Sequence, residues 1–179
     1  TGMYNTTGCF NIFLGRQAGF CSTTASYNFF AGSFSGYYNV TGGYNIFIGR
    51  NSGCRTRGCH NISLGFAAHG NGTGLGCNNI SLGNAAGGVI TSGNYNISLG
   101  KSAGYGITTG TYNVFIGSCA GLCSCGTSNQ IAIGKYAART QTGGNFSISI
   151  GAYAGCYGQN KASISIGPFA ARGTAGLDR

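Results

Sequence analysis

Acidic side chains are almost missing from this sequence: of 179 residues one is aspartate, Asp178, and none is glutamate. That excludes paired-carboxylate catalysis, EF-hand calcium sites and carboxylate-rich metal cages. Histidine is nearly as scarce, with only His60 and His69, and there is no C-x-x-C. Neither a zinc site nor a Ser-His-Asp triad is expected from that inventory. The expectation is a protein that is not an enzyme and carries no cofactor and no metal. Proline occurs once, at Pro168, and no glycine triplet runs through the chain, which excludes collagen. Charged residues make up 6% against about 25% in ordinary domains. No apolar run approaches the ~18 residues of a membrane-spanning helix. The apolar share of 42% is too high for a disordered chain.

What is abundant is glycine, with 36 residues, and it is periodic. The strings NIFLG, NFFAG, NIFIG, NISLG (three times), NVFIG, QIAIG and SISIG (twice) are ten copies of one motif. They end at Gly15, Gly32, Gly49, Gly65, Gly83, Gly100, Gly117, Gly134, Gly151 and Gly167. The intervals between these anchor glycines are 17, 17, 16, 18, 17, 17, 17, 17 and 16 residues. Further columns keep step. A glycine sits seven before the anchor (Gly8, Gly42, Gly58, Gly76, Gly93, Gly110, Gly144). Ala or Ser follows three after it, and usually Gly four after it. The period is too short for two helices or a propeller blade. It suits one coil of a β-solenoid, with two short strands and two turns, stacked on its neighbours to build a continuous core. Residues 1–179 are therefore expected to form a single all-β array, a parallel β-roll of about ten 17-residue coils and ~50 Å long. The chain opens in mid-repeat, so it reads as part of a longer or processed chain.

The unit N-x-I-x-I-G-x-x-A-G, repeated through Gly-rich turns over essentially the whole length, resembles the head repeats of trimeric autotransporter adhesins (YadA-like). Similar repeats occur in phage and viral tail fibres. The resemblance implies a left-handed parallel β-roll, three chains around one axis, and attachment to surfaces or receptors. It also implies an extracellular, cell-surface or virion-surface location. No coiled-coil stalk, neck or membrane anchor is visible in the sequence.

Several columns are candidates for function. The first is a polar ladder at Asn11, Asn28, Asn45, Asn61, Asn79, Asn96, Asn113, Gln130, Ser147 and Ser163, whose amides can bond from coil to coil. Strand alternation puts the flanking Ile and Leu on one face and the residue two before the anchor on the other. With the aliphatic face taken as core, Phe13, Phe30, Phe47 and Phe115 would be exposed, and exposed apolar rows mark interfaces. They are the expected chain–chain contact. Arg16, Arg50, Lys101 and Lys135, one after the anchor, together with Tyr37 and Tyr105, are the expected receptor surface. A net charge of +9 favours an acidic glycan or another polyanion as partner. No nucleic-acid motif accompanies the charge, so nucleic acid is disfavoured.

Nine cysteines allow disulfides, with Cys59–Cys77 in one column and Cys119–Cys123 around one turn as candidates. Asn39 and Asn71 lie in loop N-x-S/T sequons. The expected function is a rigid adhesive fibre segment acting through multivalent contacts, whose partners are copies of itself, as homotrimer or homopolymer, and a cell-surface receptor. The alternative is an extracellular filament subunit stacking end to end through open solenoid edges. A minor alternative is ice binding by the Thr6-Thr7, Thr23-Thr24 and Thr108-Thr109 pairs.

Overall fold

In the computed structural model the chain is a β-solenoid of about nine turns with about 17 residues per turn. Residues 1–141, 145–157 and 162–172 are described; Gly144 of the glycine column and Asp178 lie outside them. Ten strands stack in sequence order as one parallel sheet. They are β1 (Ile12–Leu14), β2 (Phe29–Ala31), β3 (Ile46–Ile48), β4 (Ile62–Leu64), β5 (Ile80–Leu82), β6 (Ile97–Leu99), β7 (Val114–Ile116), β8 (Ile131–Ile133), β9 (Ile148–Ile150) and β10 (Ile164–Ile166). Every pair is in motif register, as in Phe30 beside Phe47 and Ser81 beside Ser98. There is no helix among the described residues.

Each coil carries one three-residue strand rather than the expected two. The remainder is turn, yet it is hydrogen-bonded from coil to coil as a sheet would be: Gly87 N–H donates to Ala103 O and Val89 N–H to Tyr105 O, both at 2.9 Å. Tight corners make this possible. Residues five before the anchor (Tyr27, Tyr44, Tyr95, Tyr112) and two after it (Phe34, Asn51, Ser102, Tyr136) hold φ between 54° and 60°. Left-handed backbone is costly outside glycine. Here it recurs in register, so the ladder of one coil holds the next in the same conformation.

The faces are opposite to expectation. Phe30, Phe47 and Phe115 are fully buried, and Phe13 packs from the first coil against the cluster of Ala18, Phe30 and Phe47. Ile12, Leu14, Ile46, Ile48, Ile62 and Leu64 are exposed. The reason is room. The interior is one side chain wide, because the facing wall is glycine: a Cβ on Gly19 would lie 2.6 Å from the Phe13 ring. One file of rings fits there (Phe30 and Phe47 stack at 4.9 Å), whereas two aliphatic ridges per coil would not. The anticipated Phe interface is thus the core, and the anticipated aliphatic core is the outer face.

The file is filled by compensation between two positions, the one two before the anchor and the one seven after it. Phe30 goes with Asn39, Phe47 with Thr56 and Phe115 with Ser124, whereas Ser81 goes with Ile90 and Ser98 with Ile107. The coil of Ser63 uses His69 instead, in a column otherwise mostly glycine. His69 is wholly buried, neither ring nitrogen has a partner among the described residues, and burial lowers its pKa to about 4. The unfolded chain therefore binds the proton first, near the ordinary 6.5. Stability conferred by neutral His69 falls as pH drops from about 6.5 towards 4, by about 3 kcal/mol in all. Urea unfolding at pH 7.5 and at 4.5 should show that loss in the native protein and much less of it in His69→Gly. Equal losses in both would contradict the assignment.

Candidate functional site

The polar ladder is internal. Asn28 Nδ2 donates to Asn11 Oδ1 at 3.1 Å and Asn45 Nδ2 to Asn28 Oδ1 at 3.1 Å; Asn79, Asn96 and Asn113 repeat the pattern. Each Oδ1 also accepts the backbone N–H of the next asparagine, and each Nδ2 reaches a turn carbonyl such as Gly42 O or Gly93 O at 2.9 Å. Asn61 keeps the pattern through its N–H, which donates to Asn45 Oδ1 at 2.9 Å, and its Nδ2, which donates to Gly76 O at 2.9 Å. Gln130 continues the column: its N–H donates to Asn113 Oδ1, its carbonyl accepts the Val114 N–H at 2.8 Å, and its Nε2 donates to Gln141 Oε1. Ser147 Oγ donates to Gln141 Oε1, and Ser163 ends the row half-buried. These groups brace the turn against the strand and are closed to a ligand. Asn79→Ala deletes four such bonds and strands a buried carbonyl; an expected loss of about 3 kcal/mol or more is readable by chemical denaturation.

The outer sheet face is three side chains wide. Exposed aromatic residues occupy most of the first column, interrupted by Asn78, Asn129 and Ala162: Phe10, Tyr27, Tyr44 and His60 stack at 4.8–4.9 Å and Tyr95 stacks on Tyr112 at 5.0 Å. The other two columns are the residues that bracket each central strand residue: Ile, Leu or Val in every strand except β2, which has Phe29 and Ala31. Both are most open at the two ends of the sheet, as at Ile164 and Ile166. Ten strands at ~4.8 Å by roughly 14 Å of strand give a face of roughly 700 Å². That exceeds the ~300–600 Å² of the largest apolar patch on a typical monomer.

The cations line the turn beyond this face. Arg16, Arg50, Lys101 and Lys135 are all exposed. Three of them lie by rings, Arg16 over Phe34 at 5.5 Å, Arg50 over Phe66 at 5.8 Å and Lys135 by Tyr136 at 5.5 Å. Tyr37 and Tyr105 are half-buried, Tyr37 stacked on Phe20 at 5.0 Å. Column reasoning missed Tyr38, Arg55 and Arg57, which fall outside the repeating positions. The signal for them was local, three arginines within residues 50–57.

All nine cysteines are thiols. Cys59 and Cys77 do share a column, but Cys77 Sγ accepts the Cys59 N–H at 3.1 Å. In-register parallel strands point equivalent side chains the same way, side by side, whereas a disulfide needs converging Cβ vectors. Cys119 and Cys123 likewise remain unbridged. Burial pushes the Cys54 and Cys156 thiols up, away from the reactive thiolate. Asn39 is fully buried and closed to glycosylation, whereas Asn71 is exposed. No group of three or more His, Cys, Asp or Glu converges among the described residues.

No family model matches the chain, and no curated protein or solved structure does.

Proposed function

We propose that this protein is a structural fibre segment: rods pack side by side through the outer aliphatic face and present their turns for repeated, multivalent attachment. One observation carries the reading, the outward apolar columns that run from Ile12 and Leu14 to Ile164 and Ile166, exposed in β1, β3, β4 and β10 and half-buried in most strands between. Its area is close to the ~800 Å² per partner of a stable interface. Its occupant is a second copy of the same chain, because ridges repeating at the coil spacing interlock best with ridges of the same period. The turns stay outward, where aromatic rings and unpaired cations recur, and weak contacts repeated along a rigid rod add as avidity. The resemblance to YadA-like head repeats supports three rods around an axis and an extracellular or virion surface.

The test is the mass in solution by light scattering, with electron microscopy of the same sample. A closed oligomer of three chains is expected. Ile80→Lys with Ile97→Lys should give single chains with unchanged circular dichroism. A wild-type protein that is one chain at micromolar concentration would sink the reading. Chains joined only end to end, with the aliphatic face open, would favour the filament alternative.

A further inference from the structure

The array breaks its own period once within the described coils, and the break falls on one patch of the turn surface. Gly49 to Gly65 is 16 residues and Gly65 to Gly83 is 18, between runs of 17. The missing and the extra residue both lie between the column four after the anchor and the glycine seven before the next. That stretch is residues 37–41 after β2, 54–57 after β3 and 70–75 after β4. Insertions in solenoids map to loops on one face, often the binding face. Here the lengthened turn reads Gly70-Asn71-Gly72-Thr73-Gly74, so it has few side chains to fill space.

Two adjoining concavities result. One, of about 250 Å³, is lined by Tyr38, Arg55, Arg57 and Thr73. The other, of about 330 Å³, is lined by Phe34, Tyr37, Tyr38, Arg50, Asn51 and Cys54. Tyr38 is the shared wall and is 41% exposed. Arg50, Arg55 and Arg57 are all exposed, and no carboxylate side chain exists among the described residues to neutralise them. Arg50 is partly engaged by Phe66, while Arg55 and Arg57 lie over no ring and in no ion pair among those residues.

We propose that this notch binds an acidic saccharide, with a carboxylate or sulfate on the Arg55/Arg57 guanidinium groups and a pyranose face against Tyr38. Guanidinium groups match planar oxyanions in a fork, and a tyrosine ring offers the apolar face that a sugar's C–H groups cover. Thr73 supplies a hydroxyl at the rim. A nucleic acid strand fits less well. Tyr37 and Tyr38 meet edge to face at 70°, which gives no platform for successive bases. The cations are also bunched in one turn: after Arg57 the next is Lys101, so a phosphate backbone running along the rod finds no further charge for several coils. This site names the ligand class of the attachment role and rests on that reading.

The experiment is calorimetric titration of the full chain with four probes at one salt concentration: a sulfated heparin tetrasaccharide, tetragalacturonate, neutral cellotetraose and the oligonucleotide dT4. At least one acidic sugar should bind, cellotetraose should not, and dT4 should be weaker by about tenfold, a difference of about 1.4 kcal/mol. Which acidic sugar binds more tightly identifies the anion. Arg55→Gln with Arg57→Gln, and separately Tyr38→Ala, should each weaken binding about tenfold or more. Arg139→Gln with Arg172→Gln, which removes the same charge in distant coils, should leave it nearly unchanged. Circular dichroism confirms that each variant is folded. Equal losses in both charge-matched pairs, dT4 binding as tightly as the sugars, or no acidic sugar binding at millimolar concentration would each overturn the proposal. Failure here with three-chain particles intact leaves the fibre reading in place, and sugar binding by single chains does the reverse.

Discussion

Gly83→Ala should destabilise the array by about 4 kcal/mol or more, among the largest effects of any single added methyl group. Two causes add. The backbone of Gly83 has φ of +133°, where an L side chain is strained by about 1–3 kcal/mol. A Cβ there would also lie 2.7 Å from Gly100 O and 2.8 Å from Gly100 C. Those atoms belong to the next coil's backbone, so nothing flexible can yield, and the ladder around both coils must open. Gly167 separates the causes. Its φ is +117°, but a Cβ there meets nothing within 4 Å among the described residues. Gly167→Ala should therefore cost only the conformational strain. Guanidinium denaturation of both variants measures the difference. Equal costs would mean that coil-to-coil approach at the anchor is not what selects glycine.

This column explains why so much of the fold is legible in the sequence. Every coil must place glycine where its backbone meets the next one, so the spacing of Gly15, Gly32, Gly49 and their successors carries the solenoid in plain view. The asparagines are equally legible, since a polar residue recurring in register has to be satisfied along the stack. What is not legible from one strand is which of its faces is inside. Ile46 and Ile48 on one side and Phe47 on the other are all apolar, and three residues of alternation assign no preference between them. The deciding fact is the width of the interior, which is a property of the whole coil. A clue was present nonetheless. Asn45 and Phe47 share a face by alternation, and a ladder of amides has to be buried to be obligatory. Serine at Ser63, Ser81 and Ser98 argued misleadingly for solvent. The left-handed corners at Tyr27, Tyr44 and Tyr95 had no signal at all, because tyrosine there follows no glycine rule. The Arg55/Arg57 notch was hidden for the opposite reason: it lies where the repeat fails, and alignment on the repeat averages it away.

The same inversion makes a sharp expectation about the core. Beside Gly104 three side chains compete for one place: a Cβ on that glycine would lie 2.5 Å from Ser98 Oγ, 2.6 Å from Ile107 Cδ1 and 2.9 Å from Phe115 Cδ2. The β6 coil fills it with Ser98 and Ile107, the β7 coil with Phe115 and Ser124. Ile107→Ser empties a fully buried site and should cost about 2–5 kcal/mol. Ser98→Phe alone forces a ring against Ile107 and should cost about 1–3 kcal/mol by overpacking, although it also removes a buried hydroxyl that has no partner among the described residues. The double variant copies the β7 pair into the β6 coil, where the new ring can stack on Phe115 as Phe30 stacks on Phe47. It should be far more stable than the sum of the single losses, with a coupling of about 2 kcal/mol in a double-mutant cycle. Two neighbouring positions seldom rescue each other unless they share a volume. Additive losses would mean that Ser98 and Ile107 do not, and that the single file of side chains is not the core. If Ser98 instead faced solvent, Ser98→Phe would cost almost nothing by itself, so the single variant already separates the two orientations of the sheet.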